Sequence, residues 1–203
     1  YCINARPYCL KAALNNFRKW EIKPLEYDEQ IKFIENWYSN ISSEKGKDLV
    51  SKIREYPEIL SVGSSPFYLS LICALHLNGL DVYKRSEELI DRCVDGILGQ
   101  WDNFRLIARK SILKEFSINQ RKIIASNMAA TLFDQGKLIF TINDLVQSNS
   151  LNSLNKKFRV ELPDEEKLVI SLYNDFSIIT KQSPSLYSYS HLSIQEYLTA
   201  IYI

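Results

Sequence analysis

The chain has 203 residues, 46% hydrophobic and 24% charged, a composition that can fill a core and excludes an intrinsically disordered protein. Its 25 basic and 24 acidic residues leave a net charge of +1, which excludes a long-range field drawing it to nucleic acid or an anionic membrane. The four cysteines, Cys2, Cys9, Cys73 and Cys93, form no Cys-x-x-Cys pair and there are only two histidines, which argues against a structural zinc site.

Tyr1–Ala5 is apolar and strand-like, ends at Arg6-Pro7, and is followed by a helical stretch around Tyr8–Phe17. Trp20–Leu25 alternates apolar and polar residues and reads as a second short strand. A helix begins with Asp28 as N-cap and carries Ile31, Phe33, Ile34, Trp37 and Tyr38 at helical spacing. Ser42–Gly46 reads as a polar loop. Leu49, Ile53 and Tyr56 form the next stripe, ended by Pro57.

Gly63-Ser64-Ser65 leads into a helix over Pro66–Leu77 that is apolar almost all round, and is therefore expected to be buried. At about a dozen residues it is too short to span a bilayer. Asn78-Gly79 stops it. Ser86 opens a fourth helix through Trp101. Cys73 and Cys93 fall in these apolar helical stretches, where cysteine acts as a small buried hydrophobe. This usage suits a reducing cytoplasm.

The pattern changes near Ile112. A helix over Asn119–Gln135 stops at Gly136; a strand at Leu138–Phe140 and a short helix at Thr141–Gln147, capped by Thr141 or Asn143, follow. Residues 148–162 are Asn/Ser/Lys-rich and read as a loop. Pro163–Phe176 is a helix with Asp164, Glu165 and Glu166 in its first turn, where the helix dipole favours acids. Ser177–Lys181 and Leu186–Ser190 form a hairpin around Ser183-Pro184-Ser185, and Ser190 or Ser193 begins a last helix. The order helix, strand, helix, helix, strand, strand predicts a winged helix. The chain opens without Met and stops inside an apolar helical pattern, so both ends read as cut from a longer polypeptide.

Three stretches in order resemble the NACHT family of STAND ATPases. Asn4-Ala5-Arg6-Pro7, followed by Trp20–Leu25, resembles the sensor-1 strand and its successor. Ser65-Pro66-Phe67-Tyr68-Leu69-Ser70-Leu71-Ile72-Cys73 resembles the opening of the family's lid helix. Downstream, and part of the same lid match, Glu88–Trp101 resembles the family's ELYxxxVDxLLxxW pattern. Tyr189-Ser190-His191-Leu192-Ser193-Ile194-Gln195-Glu196-Tyr197-Leu198-Thr199-Ala200 resembles the "FxHxSFQEYLAA" signature of its winged helix.

The resemblance implies a mainly α fold: a remnant of the NTPase core at 1–26, a four-helix AAA+-like lid at 27–111 and a winged helix at 112–203. It implies that Arg6 faces the terminal phosphate, that Pro66 packs on the adenine ring and that His191 contacts the diphosphate of ADP in a closed state. A guanidinium forks onto phosphate oxygens, and an imidazole N–H can donate to one. It further implies ATP/ADP with Mg²⁺ in a parent protein, an upstream P-loop core as partner, homo-oligomerisation on activation and cytoplasmic defence or stress signalling.

The chain holds no Gly-x-x-x-x-Gly-Lys-Ser/Thr and no apolar run ending in paired acids ahead of Arg6. Alone it is therefore expected neither to hydrolyse ATP nor to bind it tightly. Arg6 also reads as a surface arginine at a strand end, Pro66 as a plain helix starter, and His191 as a capping or core histidine. His76, in the apolar helix, reads as structural. A nucleic-acid-binding winged helix is the first rival, weighed down by the acids of its Pro163–Phe176 helix. A scaffold with a decayed nucleotide site is the second.

Overall fold

The structure, a computed structural model, describes residues 23–80, 85–104, 112–148, 154 and 163–202, with residues 100–104 described in backbone course only. The strand read at Tyr1–Ala5, the helix at Tyr8–Phe17 and Arg6 lie outside these residues, as does most of the loop at 148–162. The described chain is mainly helical with one small sheet.

Helix α1 spans Tyr27–Tyr38 and turns Ile34 and Tyr38 into the core. Its N-cap is Glu26, not Asp28, and the Glu29 carboxylate reaches back to accept the Glu26 N–H at 2.9 Å. Lys23–Leu25 is not a strand; its Leu25 N–H instead donates to Ser64 O at 2.7 Å. The stretch read as a polar loop at Ser42–Gly46 is the start of α2, Ser43–Glu55, with Ser42 as N-cap. A serine that accepts from the third residue beyond it makes polar sequence a helix start.

Pro57 ends α2 and at the same time begins an unforeseen helix, α3, Pro57–Gly63. Its missing N–H costs nothing in a first turn. Helix α4 then runs Pro66–Leu77, buried over most of its circumference, and α5 runs Ser86–Phe104. Residues 27–104 thus hold five helices among the described residues, not the four expected.

After a 3₁₀ turn at Ile112–Glu115, α6 spans Ile118–Asp134 with Ser117 and Gln120 in a reciprocal capping box. Gly136 at φ 65° turns the chain into β1, Ile139–Phe140. Helix α7, Ile142–Ser148, is tied at its start by the Asp144 carboxylate, which accepts from Thr141 N at 2.6 Å and Thr141 Oγ1 at 3.0 Å. Helix α8 is Glu165–Asn174, capped by Asp164.

Strands β2, Ile179–Ser183, and β3, Leu186–Tyr189, form the expected hairpin. The sheet is antiparallel in the order β1-β3-β2, with Phe140 opposite Tyr187 and Thr180 opposite Ser188. An irregularity between Lys181 and Ser183 breaks the β2 register. Helix α9, Leu192–Ala200, has His191 as N-cap, neither Ser190 nor Ser193. Its Ile194 and Leu198 join Ile124, Met128 and Leu132 of α6 in a buried cluster that continues through both halves of the chain. The Tyr189 hydroxyl closes this core by donating to Ala125 O at 3.0 Å.

Candidate functional site

Pro66 occupies the first turn of α4 and is exposed. Ser65 before it is extended, and its side chain does not cap the helix. The first turn therefore presents N–H groups without a side-chain acceptor from its cap, the partially positive end of the helix.

Phe67 and Tyr68, the next two residues, turn toward α9. The His191 ring stacks on Phe67 with centroids 4.1 Å apart and planes 20° from parallel. It also stands 6.2 Å from the Tyr68 ring. The Tyr68 hydroxyl lies 2.9 Å from Ser193 Oγ. Burial is the main cause that pushes the Tyr68 pKa up, against the Ser193 hydrogen bond, so this hydroxyl stays a neutral partner. Two of the three sequence-predicted site residues, Pro66 and His191, are thereby brought to one neighbourhood. The third, Arg6, lies outside the described residues.

The approach to α4 is held from below. Gln30, only 1% exposed, donates through Nε2 to Leu25 O at 3.0 Å and to Leu60 O at 3.1 Å. A Cβ on residue 63 would come within 2.9 Å of Gln30 Oε1, so Gly63 is the residue that lets α3 close onto this side chain.

A second polar constellation joins α5 to α6 and α9. Lys122 Nζ lies 2.5 Å from Asp91 Oδ1 and 2.6 Å from Asp95 Oδ1. The approach to Asp91 is a directed hydrogen bond, whereas that to Asp95 is a charge contact whose angle leaves Oδ1 without one. Tyr197 donates its hydroxyl to the same Asp91 oxygen. Burial opposes the ionised form of Asp91 and of Lys122 alike, but their mutual attraction, with Tyr197, outweighs it. The Asp91 pKa is lowered and the Lys122 pKa raised.

Beside it, Arg121 donates to three carbonyls, Leu113 and Leu98 at 2.6 Å and Lys114 at 3.1 Å. Sequence reading missed this cluster. The signal was the spacing of Asp91 and Asp95, four residues apart on one helical face, which calls for a cation opposite.

His76 is structural, as its place in an apolar helix suggested. Its Nε2 lies 2.8 Å from Asp48 Oδ2 and its Nδ1 2.9 Å from the Tyr38 hydroxyl. Facing a carboxylate, Nε2 carries the proton; Nδ1 of the neutral ring then competes with Cys73 O, 2.9 Å away, for the Tyr38 proton.

A separate cleft of about 710 Å³ lies between α7, α8 and the hairpin, lined by Glu166, Ile170, Tyr173 and Lys181 among others, and includes neither Pro66 nor His191. Among the described residues, no three His, Cys, Asp or Glu side chains converge as a metal site requires, and no helix is long and apolar enough to cross a membrane. Comparison with protein-family models, with curated proteins and with solved structures finds no match.

Proposed function

We propose that the chain is the regulatory part of a NACHT-type STAND ATPase: a helical lid at 27–111 and a winged helix at 112–203 that close over ADP and hold a parent protein inactive. The observation that supports it is the stack of His191 on Phe67, the residue that follows Pro66 in the first turn of α4. The donor set fits one side of a nucleotide. Pro66 offers an apolar ring, the start of α4 is a helix end that favours a phosphate, and an imidazole is a group that can donate to a phosphate oxygen. It does not fit a whole nucleotide, since the 203 residues lack a Walker A motif. The phosphates and Mg²⁺ would be held by an upstream P-loop core, with Arg6 facing the terminal phosphate.

In this reading, loss of the histidine contact on ATP exchange frees the winged helix and permits oligomerisation, a domain switch biased by ligand. The setting is cytoplasmic defence signalling. Against a nucleic-acid role stands α8, whose first turn carries half-buried Glu165 and exposed Glu166, groups that repel phosphate.

The test is on the parent protein carrying the upstream core, purified gently, denatured, and assayed for released adenine nucleotide by chromatography. Near-stoichiometric ADP, lowered in His191→Ala, is expected. A parent with an intact P-loop that releases no nucleotide would overturn the reading.

A further inference from the structure

Three elements build the cleft between α7, α8 and the hairpin, and each is fastened independently. On α8, Glu166, Ile170 and Tyr173 fall four and three residues apart and so line one side of the helix, while Leu168 and Leu172 on its other side are buried. On the hairpin, Lys181 stands opposite Tyr187. This pair lies two residues beyond buried Ile179 and Tyr189 on the same face of the sheet. The Lys181 Nζ is 5.8 Å from the Tyr187 ring centroid, and the Phe140 ring stands 6.1 Å from the same ring. The third wall is the start of α7, held by the Asp144 carboxylate on Thr141. The cleft is thus an outward continuation of the sheet's core face.

Its chemistry is mixed in a specific way. Tyr187 is nearly buried and forms a floor, whereas Ile170 and Tyr173 are 39% and 37% exposed, an apolar and aromatic stripe open to water. Glu166 on α8 and Lys181 on β2 are exposed, and neither forms an ion pair, with the other or with any described residue. Lys167, next to Glu166, is taken by Asp164 at 2.8 Å. At about 710 Å³ the cleft falls within the range of about 300–1,000 Å³ usual for small-ligand sites. A ligand with a single charge would meet one attracting and one repelling wall, and an apolar one would cover two charges without pairing them.

We infer that the cleft binds a small zwitterion with a flat ring: an aromatic amino acid, or a short free peptide built on one. The ammonium faces Glu166, the carboxylate faces Lys181, and the ring lies against Tyr173 and Ile170 above Tyr187. The site includes neither Pro66 nor His191; it goes beyond the nucleotide reading and does not depend on it.

The experiment titrates the isotope-labelled 203-residue chain, read by amide chemical shifts, with probes that share an indole ring. L-Tryptophan and L-tryptophylglycine carry both charges, tryptamine only the cation, and indole acetate only the carboxylate. Saturable shifts are expected within 141–143, 166–174 and 181–187, with the better zwitterion about fivefold tighter than either singly charged probe, the weight of one exposed ion pair. Whichever zwitterion binds tighter sets the span between the two charges, and either order supports the assignment. Glu166→Gln should weaken the zwitterions and tryptamine while sparing indole acetate; Lys181→Met should weaken the zwitterions and indole acetate while sparing tryptamine. Both positions are exposed, so both variants should melt with the unaltered chain. The absence of saturable shifts in these segments with every probe overturns the assignment. So does equal binding of all four probes that neither variant alters, which would leave a merely sticky apolar surface.

Discussion

The imidazole of His191 lies flat on the ring of Phe67, 4.1 Å between centroids, and so ties the N-cap of α9 to the first turn of α4. Removing the ring should be felt twice. In the isolated chain, His191→Ala should lower the melting temperature by about 2–4 °C, the equivalent of about 1 kcal/mol for a stacked pair. His191→Phe should preserve it. In the parent both variants lose the imidazole N–H, so both should release ADP faster and raise basal signalling. ADP release and signalling unchanged in both would remove His191 from the switch.

Gln30 is the buried tie beneath that site. Gln30→Leu keeps the volume and deletes both Nε2 bonds, leaving the Leu25 and Leu60 carbonyls short of a donor. A loss of about 2 kcal/mol in urea unfolding is expected, together with faster hydrogen exchange at Leu25 N–H, which bonds Ser64 O. Unchanged stability would show that water reaches these carbonyls.

His76 sets a pH dependence. Burial, the largest cause, draws its pKa below the ordinary imidazole value of about 6.5, against the pull of Asp48. The unfolded ring then binds a proton before the folded one does. Its contribution to stability is thus present above about pH 6.5 and lost as pH falls through the lower folded value. Asp48, held below the usual carboxylate range by His76 and then Lys52, gives way only in stronger acid. Urea midpoints for the chain and for His76→Gln between about pH 7.5 and 5 should show a slope in the first that is reduced in the second. Parallel slopes would refute the assignment.

Arg121 should be among the costliest single losses. It is buried and satisfies three carbonyls from two places in the chain. Arg121→Met should destabilise by about 3 kcal/mol, and Arg121→Lys should recover little, because an ammonium lacks the planar fork that reaches Leu98, Leu113 and Lys114 together. Full recovery with lysine would mean that charge alone matters there.

The thiols of Cys73 and Cys93 are both pushed up to about 12 by burial. Iodoacetamide at about pH 8, where a free thiol is partly ionised, should leave both unmodified in the native chain and alkylate both in denaturant, as read by mass spectrometry of their peptides. Native labelling of either would reveal a local opening of α4 or α5.

Strong periodicity was legible in the sequence. Pro66–Leu77 begins and ends where its proline and its Asn78-Gly79 place it, and the hairpin around Pro184 is where the alternation puts it. Polar starts were harder to read. Ser42–Gly46 looks like a loop because a capping serine and the lysines of a solvated first turn have loop composition. Pro57 looks like a terminator, and the seven residues of α3 are too few to show a stripe of their own.

At the site, the motif singled out Pro66 and His191 but gave no role to Phe67, the ring on which the imidazole stacks. The Asp91–Lys122–Tyr197 cluster lay hidden for a different reason. Its members are 31 and 106 residues apart along the chain, and single-chain pattern carries no information about which helical faces meet.

The sheet has consequences for how copies of this chain could meet. Among the described residues its order leaves β2 at one margin, paired on one flank by β3, and such a margin is a template for a foreign strand. Here the margin is guarded: β2 is five residues long, carries exposed Lys181 and Gln182, loses register before Ser183 and runs into Pro184. A visiting strand would meet a bend, a charge and a missing donor within a few residues. Strand exchange and fibre growth through this margin are thereby disfavoured.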